Sequence, residues 1–156
     1  MIIFKIYLAG PAVFLPNAKV VLNTLRNQVI SAGHVPLTPI DGDITENSFL
    51  IMRENIAMIE QCDIVFADLQ PFRGTEPDSG TVFEVGYATA LGKRVFAYNV
   101  LPKTYKRQVQ DHFGLGDISQ CPQQFAIEDF QLPLNCMISH NVTIRNSFED
   151  CIAALN

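Results

Sequence analysis

The run DIVFADL, residues 63–69, limits the fold more than any other part of the chain. Its apolar centre is nearly unbroken and shows no polar/apolar alternation. That pattern belongs to a strand buried on both faces, and such strands lie in the middle of parallel sheets with helices packed on each side. One segment therefore predicts a layered α/β domain rather than an all-β or all-helical one.

The neighbouring segments fit that frame. IFKIYLA at 3–9 is a second β-rich run, ended by the turn signal Gly10-Pro11, and RVFAYN at 94–99 is a third; a short strand is expected at 34–37. Asn17 is a candidate cap for a helix reaching Ser31, in which Val20, Val21, Leu25, Val29 and Ile30 recur at helical spacing and Gly33 supplies the stop. Residues 46–61 carry Phe49, Leu50, Ile56 and Ile59 on a helical period, and TPIDGDITENS and QPFRGTEPDSG read as loops. Past Pro102, KTYKRQVQDHF is a further helix, 114–133 is loop-rich, and 146–155 forms a closing helix capped by Asn146 or Ser147. Alternation at this spacing predicts one domain over residues 1–156, an open parallel sheet with right-handed crossovers. Ligands of such sheets bind beyond the carboxyl ends of the strands, which points to residues 7–11, 68–78 and the stretch after Tyr98.

Composition narrows the partners. The net charge is −5 and no run of Lys or Arg occurs, so the attraction to phosphate backbones or anionic lipid is missing, and neither nucleic acid nor a membrane surface is expected. No apolar run approaches the roughly 18 residues of a membrane span, and MIIFKIYLAG reads as a first strand rather than a signal peptide. Cys62, Cys121, Cys136 and Cys151 stand far apart with no CxxC pair, which fits reduced thiols in a cytoplasmic protein. His34, His112 and His140 are scattered as well. Hydrophobic residues make up 48% and charged residues only 17%, which leaves apolar surface for a homo-oligomer interface.

Between Thr81 and Gly92 the only charged residue is Glu84. A helix starting near Ser79 places it on a face with Gly80, Tyr87, Ala88 and Leu91, all small or apolar. Glutamate is almost never fully buried unpaired, so Glu84 has either a structural partner or a pocket to open into. The first turns of a helix favour an anion, and a partly desolvated carboxylate is a usable nucleophile. Two more acids converge on this strand-to-helix junction: Asp68 ends the central strand, and Asp78 precedes the helix, where alone it would read as an N-cap. Grouped carboxylates suit cleavage of a glycosidic bond, one attacking the sugar carbon while another supplies a proton to the leaving group. They also bind Mg²⁺, but no phosphate-cradling GxxxxGK[ST] or GxGxxG loop accompanies them, and no metal is expected.

Three stretches, YLAGPAVF at 7–14, RENIAMIEQCDIVFADLQPF at 53–72 and EPDSGTVFEVGYATALGKRV at 76–95, resemble the nucleoside 2-deoxyribosyltransferase family in order, spacing and chemistry. The resemblance implies a flavodoxin-like (Rossmann-like) sheet of about five strands. It also implies transfer of 2-deoxyribose between purine or pyrimidine bases, with deoxynucleosides and free nucleobases as partners and no cofactor. By position, Glu84 is similar to the family's nucleophile, Asp68 to the acid that protonates the departing base, and Asp78 to the residue holding a sugar hydroxyl. Tyr7 would orient Glu84, Phe14 would wall the base, and Gly10 of the Gly-Pro turn would lie against the substrate. LNCMI at 134–138 resembles a short segment that a neighbouring subunit lends to the sugar pocket, which makes Asn135 a candidate and the oligomer part of the site. The chemistry implied is attack of Glu84 on the anomeric carbon, a covalent deoxyribosyl-enzyme, and a second inversion giving net retention.

Two rivals remain at this point. One is a hydrolase of the same fold acting on deoxynucleoside 5′-monophosphates, which would have to tolerate Asp78 beside a phosphate. The other is a non-enzymatic nucleotide-binding module, which would leave the lone Glu84 unexplained.

Overall fold

The computed structural model describes residues 2–41 and 46–155, so the central part of the loop expected at 38–48 lies outside the described residues. Five parallel strands, β1 (Lys5–Ala9), β2 (Val35–Leu37), β3 (Ile64–Asp68), β4 (Arg94–Tyr98) and β5 (Thr143–Ile144), form one sheet in the order β2-β1-β3-β4-β5. This is the flavodoxin-like order, which reverses direction between β1 and β3. The connections after those two strands leave to opposite faces. β1 continues through a 3₁₀ turn, Pro11–Phe14, into α1 (Ala18–Ser31), whereas β3 leads by a loop to α3 (Ser79–Ala90). A crevice opens where the two paths part.

Side-chain alternation sorts the core into two halves. Tyr7, Ala9, Val65, Ala67, Val95 and Ala97 face α2 (Ser48–Gln61), α3 and the short α5 (Cys136–Ser139), packing with Ile59, Val85, Ala88 and Ile138. Ile6, Leu8, Ile64, Phe66, Phe96 and Tyr98 face the other way, towards Val29 of α1 and towards Phe148 and Cys151 of α6 (Phe148–Ala153). Ala9, Ala67 and Ala97 are in register across three strands, so a row of methyl groups lies under α3 at the carboxyl end of the sheet. Small residues there let α3 approach closely, which brings its first turns down over Tyr7.

Local chemistry accounts for the helix limits. Asn47 accepts from the Phe49 and Leu50 amides, Asp78 from Thr81 N, Thr104 from Arg107 N ahead of α4 (Tyr105–Phe113), and Ser147 from Asp150 N. Gly33 and Gly114 take positive φ just beyond α1 and α4.

Several expectations need correction. Asn17 holds the N-cap position of α1 but makes no side-chain capping bond, because its φ and ψ (−106°, 29°) are not those of a capping residue. The buried stripe of α1 runs through Leu22 and Val29, with Leu25 partly buried, while Val20 and Ile30 are exposed. The helical period admits two stripes there, and the sheet selects the 22/25/29 one. Phe49 and Leu50 are likewise exposed, and only Ile59 of α2 is fully enclosed. The 3₁₀ turn and the two-residue β5, held at the edge by β4, carry no sequence signal long enough to read.

Candidate active site

Glu84 lies in the second turn of α3, above the end of β1. The Tyr7 hydroxyl donates to Glu84 Oε1 at 2.7 Å, and Asn55 Nδ2 of α2 donates to the same oxygen at 3.5 Å. Tyr7 is wholly enclosed, at 0% exposure, so its ring is fixed by the sheet and its hydroxyl has one direction in which to point. Burial pushes the Tyr7 hydroxyl far above its usual range, reinforced by the charge of Glu84, so it stays protonated and acts as a donor. Burial also pushes the Glu84 carboxyl up to about 7, against the lowering effect of the Tyr7 bond and with a further upward push from Asp78. A carboxylate that changes charge near neutrality in a cleft is a recognised mark of a functional position.

Glu84 opens into a cleft of about 480 Å³. Gly10, Val13 and Phe14 form one wall, Pro39, Ile40 and Ile51 another, and Asp78, Gly80 and Thr81 the start of α3. Apolar walls with a few convergent polar groups describe a small-molecule site. Asp78 caps α3 by taking two bonds on Oδ2, from Thr81 N and Thr81 Oγ1, each at 2.9 Å. Thr81 is buried, so this carboxylate is held from below and its second oxygen is left to accept from the cleft.

Asp68 occupies a different place. Counting along β3, Val65 and Ala67 share a face with Tyr7, while Asp68 follows Phe66 to the other side. Its carboxyl lines an adjoining hollow of about 390 Å³ with Gln70, Tyr98 and Asn99. Oδ1 accepts from Gln70 N at 3.2 Å, and Oδ2 from Gln70 Nε2 and Asn99 Nδ2 at 3.0 Å each. Asn99 adopts a positive φ of 57°, a conformation asparagine tolerates, which brings its amide to this carboxylate. Burial raises the Asp68 carboxyl above its usual range, partly offset by these donors. Phe14 lines both spaces. It stacks on Phe72 at 5.3 Å between centroids, and the Arg73 guanidinium lies over both rings, 4.5 Å from Phe72 and 5.3 Å from Phe14.

A profile of the nucleoside 2-deoxyribosyltransferase family matches residues 6–137. The chain belongs to that family. Among solved structures, a 2-desoxiribosyltransferase from Leishmania mexicana is 37% identical, with a TM-score of 0.81 over 97% of this chain and 95% of that one. A 2-deoxyribosyltransferase from Bacillus psychrosaccharolyticus (20% identical, TM-score 0.61, 95% and 90% covered) shares the fold. So does a CMP N-glycosidase from Clostridium botulinum (16%, 0.54, 97% of each). An uncharacterized Schizosaccharomyces pombe protein is 30% identical over 116 residues, which are 69% of this chain and 55% of that protein. The chain thus spans about half the length of this curated relative.

In this deoxyribosyltransferase-family chain, the structure gathers Glu84, Asp78, Gly10 and Phe14 around one cleft with Tyr7 beneath it, and sets Asp68 next door. Asn135 lies apart, as the N-cap of α5, accepting from Met137 N at 2.9 Å; it does not line the cleft of its own chain. Sequence reasoning missed Asn55, Glu54 and Lys19, which do line it. The signal for Asn55 was present: asparagine is a poor helix-interior residue, yet it stands mid-way along α2.

Gly10 is needed for two reasons. Its φ and ψ (157°, 169°) are essentially restricted to glycine, and a Cβ there would stand 2.8 Å from the Asp68 Cβ. Gly10→Ala should therefore destabilise the fold by about 3 kcal/mol, combining backbone strain and overpacking. Urea unfolding measures this, and a loss below about 1 kcal/mol would show that the β1 turn relaxes easily.

Proposed function

We propose that the protein transfers 2-deoxyribose between nucleobases through a covalent deoxyribosyl-Glu84 intermediate, with net retention at the anomeric carbon. The observation that carries this reading is the part-buried Glu84 carboxylate at the foot of a nucleoside-sized cleft, its Oε1 held by an enclosed tyrosine. Asp78 accepts from a hydroxyl of the sugar, Phe14 packs against the base, and the backbone at Gly10 lies against the substrate. Asp68, adjacent to Gly10 and raised by burial, supplies the proton to the departing base directly or through a water. The sugar carbon is attacked as the C–N bond breaks, and a second base then attacks from the vacated face. The family match and the name of the 37%-identical Leishmania transferase support the reaction class.

In the same reading the working unit is a homo-oligomer in which Asn135 of a neighbouring copy completes the sugar pocket. Exposed Phe49, Leu50 and Met52 at the start of α2, close to the cleft residue Ile51, supply apolar surface for that contact. The role is nucleotide salvage in the cytoplasm, a compartment that suits the free thiols of Cys62 and Cys151.

Incubation with a deoxynucleoside and a different free base should yield the exchanged deoxynucleoside, identified by chromatography. Release of free deoxyribose without exchange would instead support a glycosidase. One observation favours that second reading in its monophosphate form: Lys19 lines the cleft as an exposed cation able to meet a phosphate.

A further inference from the structure

We infer that Asn55 is a positioning residue that, together with Tyr7, commits Oε1 of Glu84 to hydrogen bonding and leaves Oε2 as the attacking oxygen; this rests on the proposed nucleophilic role of Glu84. The two donors come from separate elements. Tyr7 reaches Oε1 from β1 at 2.7 Å and Asn55 reaches the same atom from α2 at 3.5 Å, while Glu84 itself is on α3. Among the described residues no donor is directed at Oε2. A carboxylate free to rotate would present either oxygen, whereas donors on one side fix the plane of the group and the identity of the free lone pair.

The position of Asn55 supports a functional role. It is half-buried in the interior of α2 and lines the cleft, where an apolar residue or alanine would serve the helix better. Its amide is neutral, so it orients the carboxylate without forming an ion pair that would suppress nucleophilicity.

The bond changes give each half-reaction a different demand. In the first, an Oε2 lone pair forms the bond to the anomeric carbon while the C–N electron pair leaves with the base, which takes up a proton; Oε1 becomes the carbonyl oxygen of an ester. In the second, an incoming base forms the C–N bond, the base loses a proton, and the C–O electron pair returns to Glu84, so negative charge reappears across both oxygens. Donors on Oε1 stabilise the carboxylate that is released. Loss of Asn55 therefore slows breakdown of the intermediate more than its formation.

The charged and titratable groups facing Glu84 are Tyr7 from β1, Glu54 from α2, Asp78 at the start of α3, and Lys19 from α1 across the cleft. None of these changes in the test. Asn55→Ala removes the donor, and Asn55→Asp keeps the shape but replaces donor with acceptor. The titration of Glu84 is followed by carbon NMR on protein labelled at the glutamate carboxyls, the resonance being identified by its loss in Glu84→Gln. The Glu84 midpoint should rise by about half a unit in Asn55→Ala and by more in Asn55→Asp, because an anion replaces a donor. Transfer should fall about tenfold in Asn55→Ala, with the covalent adduct accumulating in mass spectra of the protein at steady state. An unchanged midpoint in both folded variants overturns the inference, whatever their activity. If Asn55→Ala does not fold, the isosteric Asn55→Asp decides alone. Failure of the parent reading shows separately, as undiminished transfer in Glu84→Gln.

Discussion

Glu84→Gln should lose at least a hundredfold of transfer activity and, above pH 7, should be more stable than the natural protein. The first effect follows from chemistry: an amide cannot displace the base, and loss of a nucleophile costs at least this factor. The second follows from linkage. Burial raises the Glu84 carboxyl from 4.5 to about 7, so the folded state holds its proton more tightly than the unfolded chain does. The favourable contribution of that proton is complete below pH 4.5 and is lost as pH rises through about 7, beyond which the ionised group costs the fold on the order of 3 kcal/mol. Glutamine keeps an oxygen to accept from Tyr7 and carries no charge at any pH. Thermal unfolding of the two proteins should coincide near pH 4.5 and diverge in favour of the variant by pH 8.5. Equal melting at pH 8.5 would mean that water reaches the carboxylate freely, and retention of more than a hundredth of the activity would remove Glu84 as nucleophile.

Deoxynucleosides should be turned over and their 5′-monophosphates should not, with a preference on the order of a hundredfold or more in kcat/KM. An Asp78 oxygen that accepts from a sugar hydroxyl loses that donor in a monophosphate and gains a repulsive neighbour, an effect of about 3 kcal/mol for a partly enclosed group. Asp78→Ser is the informative variant because serine preserves the N-cap that Asp78 provides to Thr81 N, so the helix start should survive. It should narrow the preference by removing the repulsion while slowing the reaction on deoxynucleosides. Comparable wild-type rates on deoxycytidine and deoxycytidine monophosphate would put the glycosidase first and give Lys19 the phosphate.

The long apolar strands and the helices between them were legible because burial on two faces leaves an unmistakable pattern in runs such as residues 64–68. Glu84 was legible for the opposite reason, a charge where nothing else is charged. Asp68 shows the limit of such reading. Its place at a strand end was correct, but the two-residue period that turns Tyr7 towards α3 turns Asp68 towards Gln70 and Asn99, and a position along a strand does not reveal that until the faces are assigned. Asn55 escaped because its poor helix propensity is a weak signal, shared by many solvated helix positions. Its meaning comes from α2 crossing above Glu84, a contact 29 residues distant in sequence.

If Phe14 walls the base as proposed, its ring has a consequence for how bases come and go. Its stack on Phe72, with Arg73 above, is the bond that ties the turn after β1 to the loop after β3. A stacked pair and a solvent-side cation–π contact together amount to roughly 1–2 kcal/mol, which corresponds to an open latch in about one molecule in six to one in thirty. Because Phe14 borders both hollows, a swing of the ring would open the Glu84 cleft and the Asp68 hollow together. On the proposed reading, this inexpensive opening would let one base depart and another arrive while the deoxyribosyl group stays bonded to Glu84.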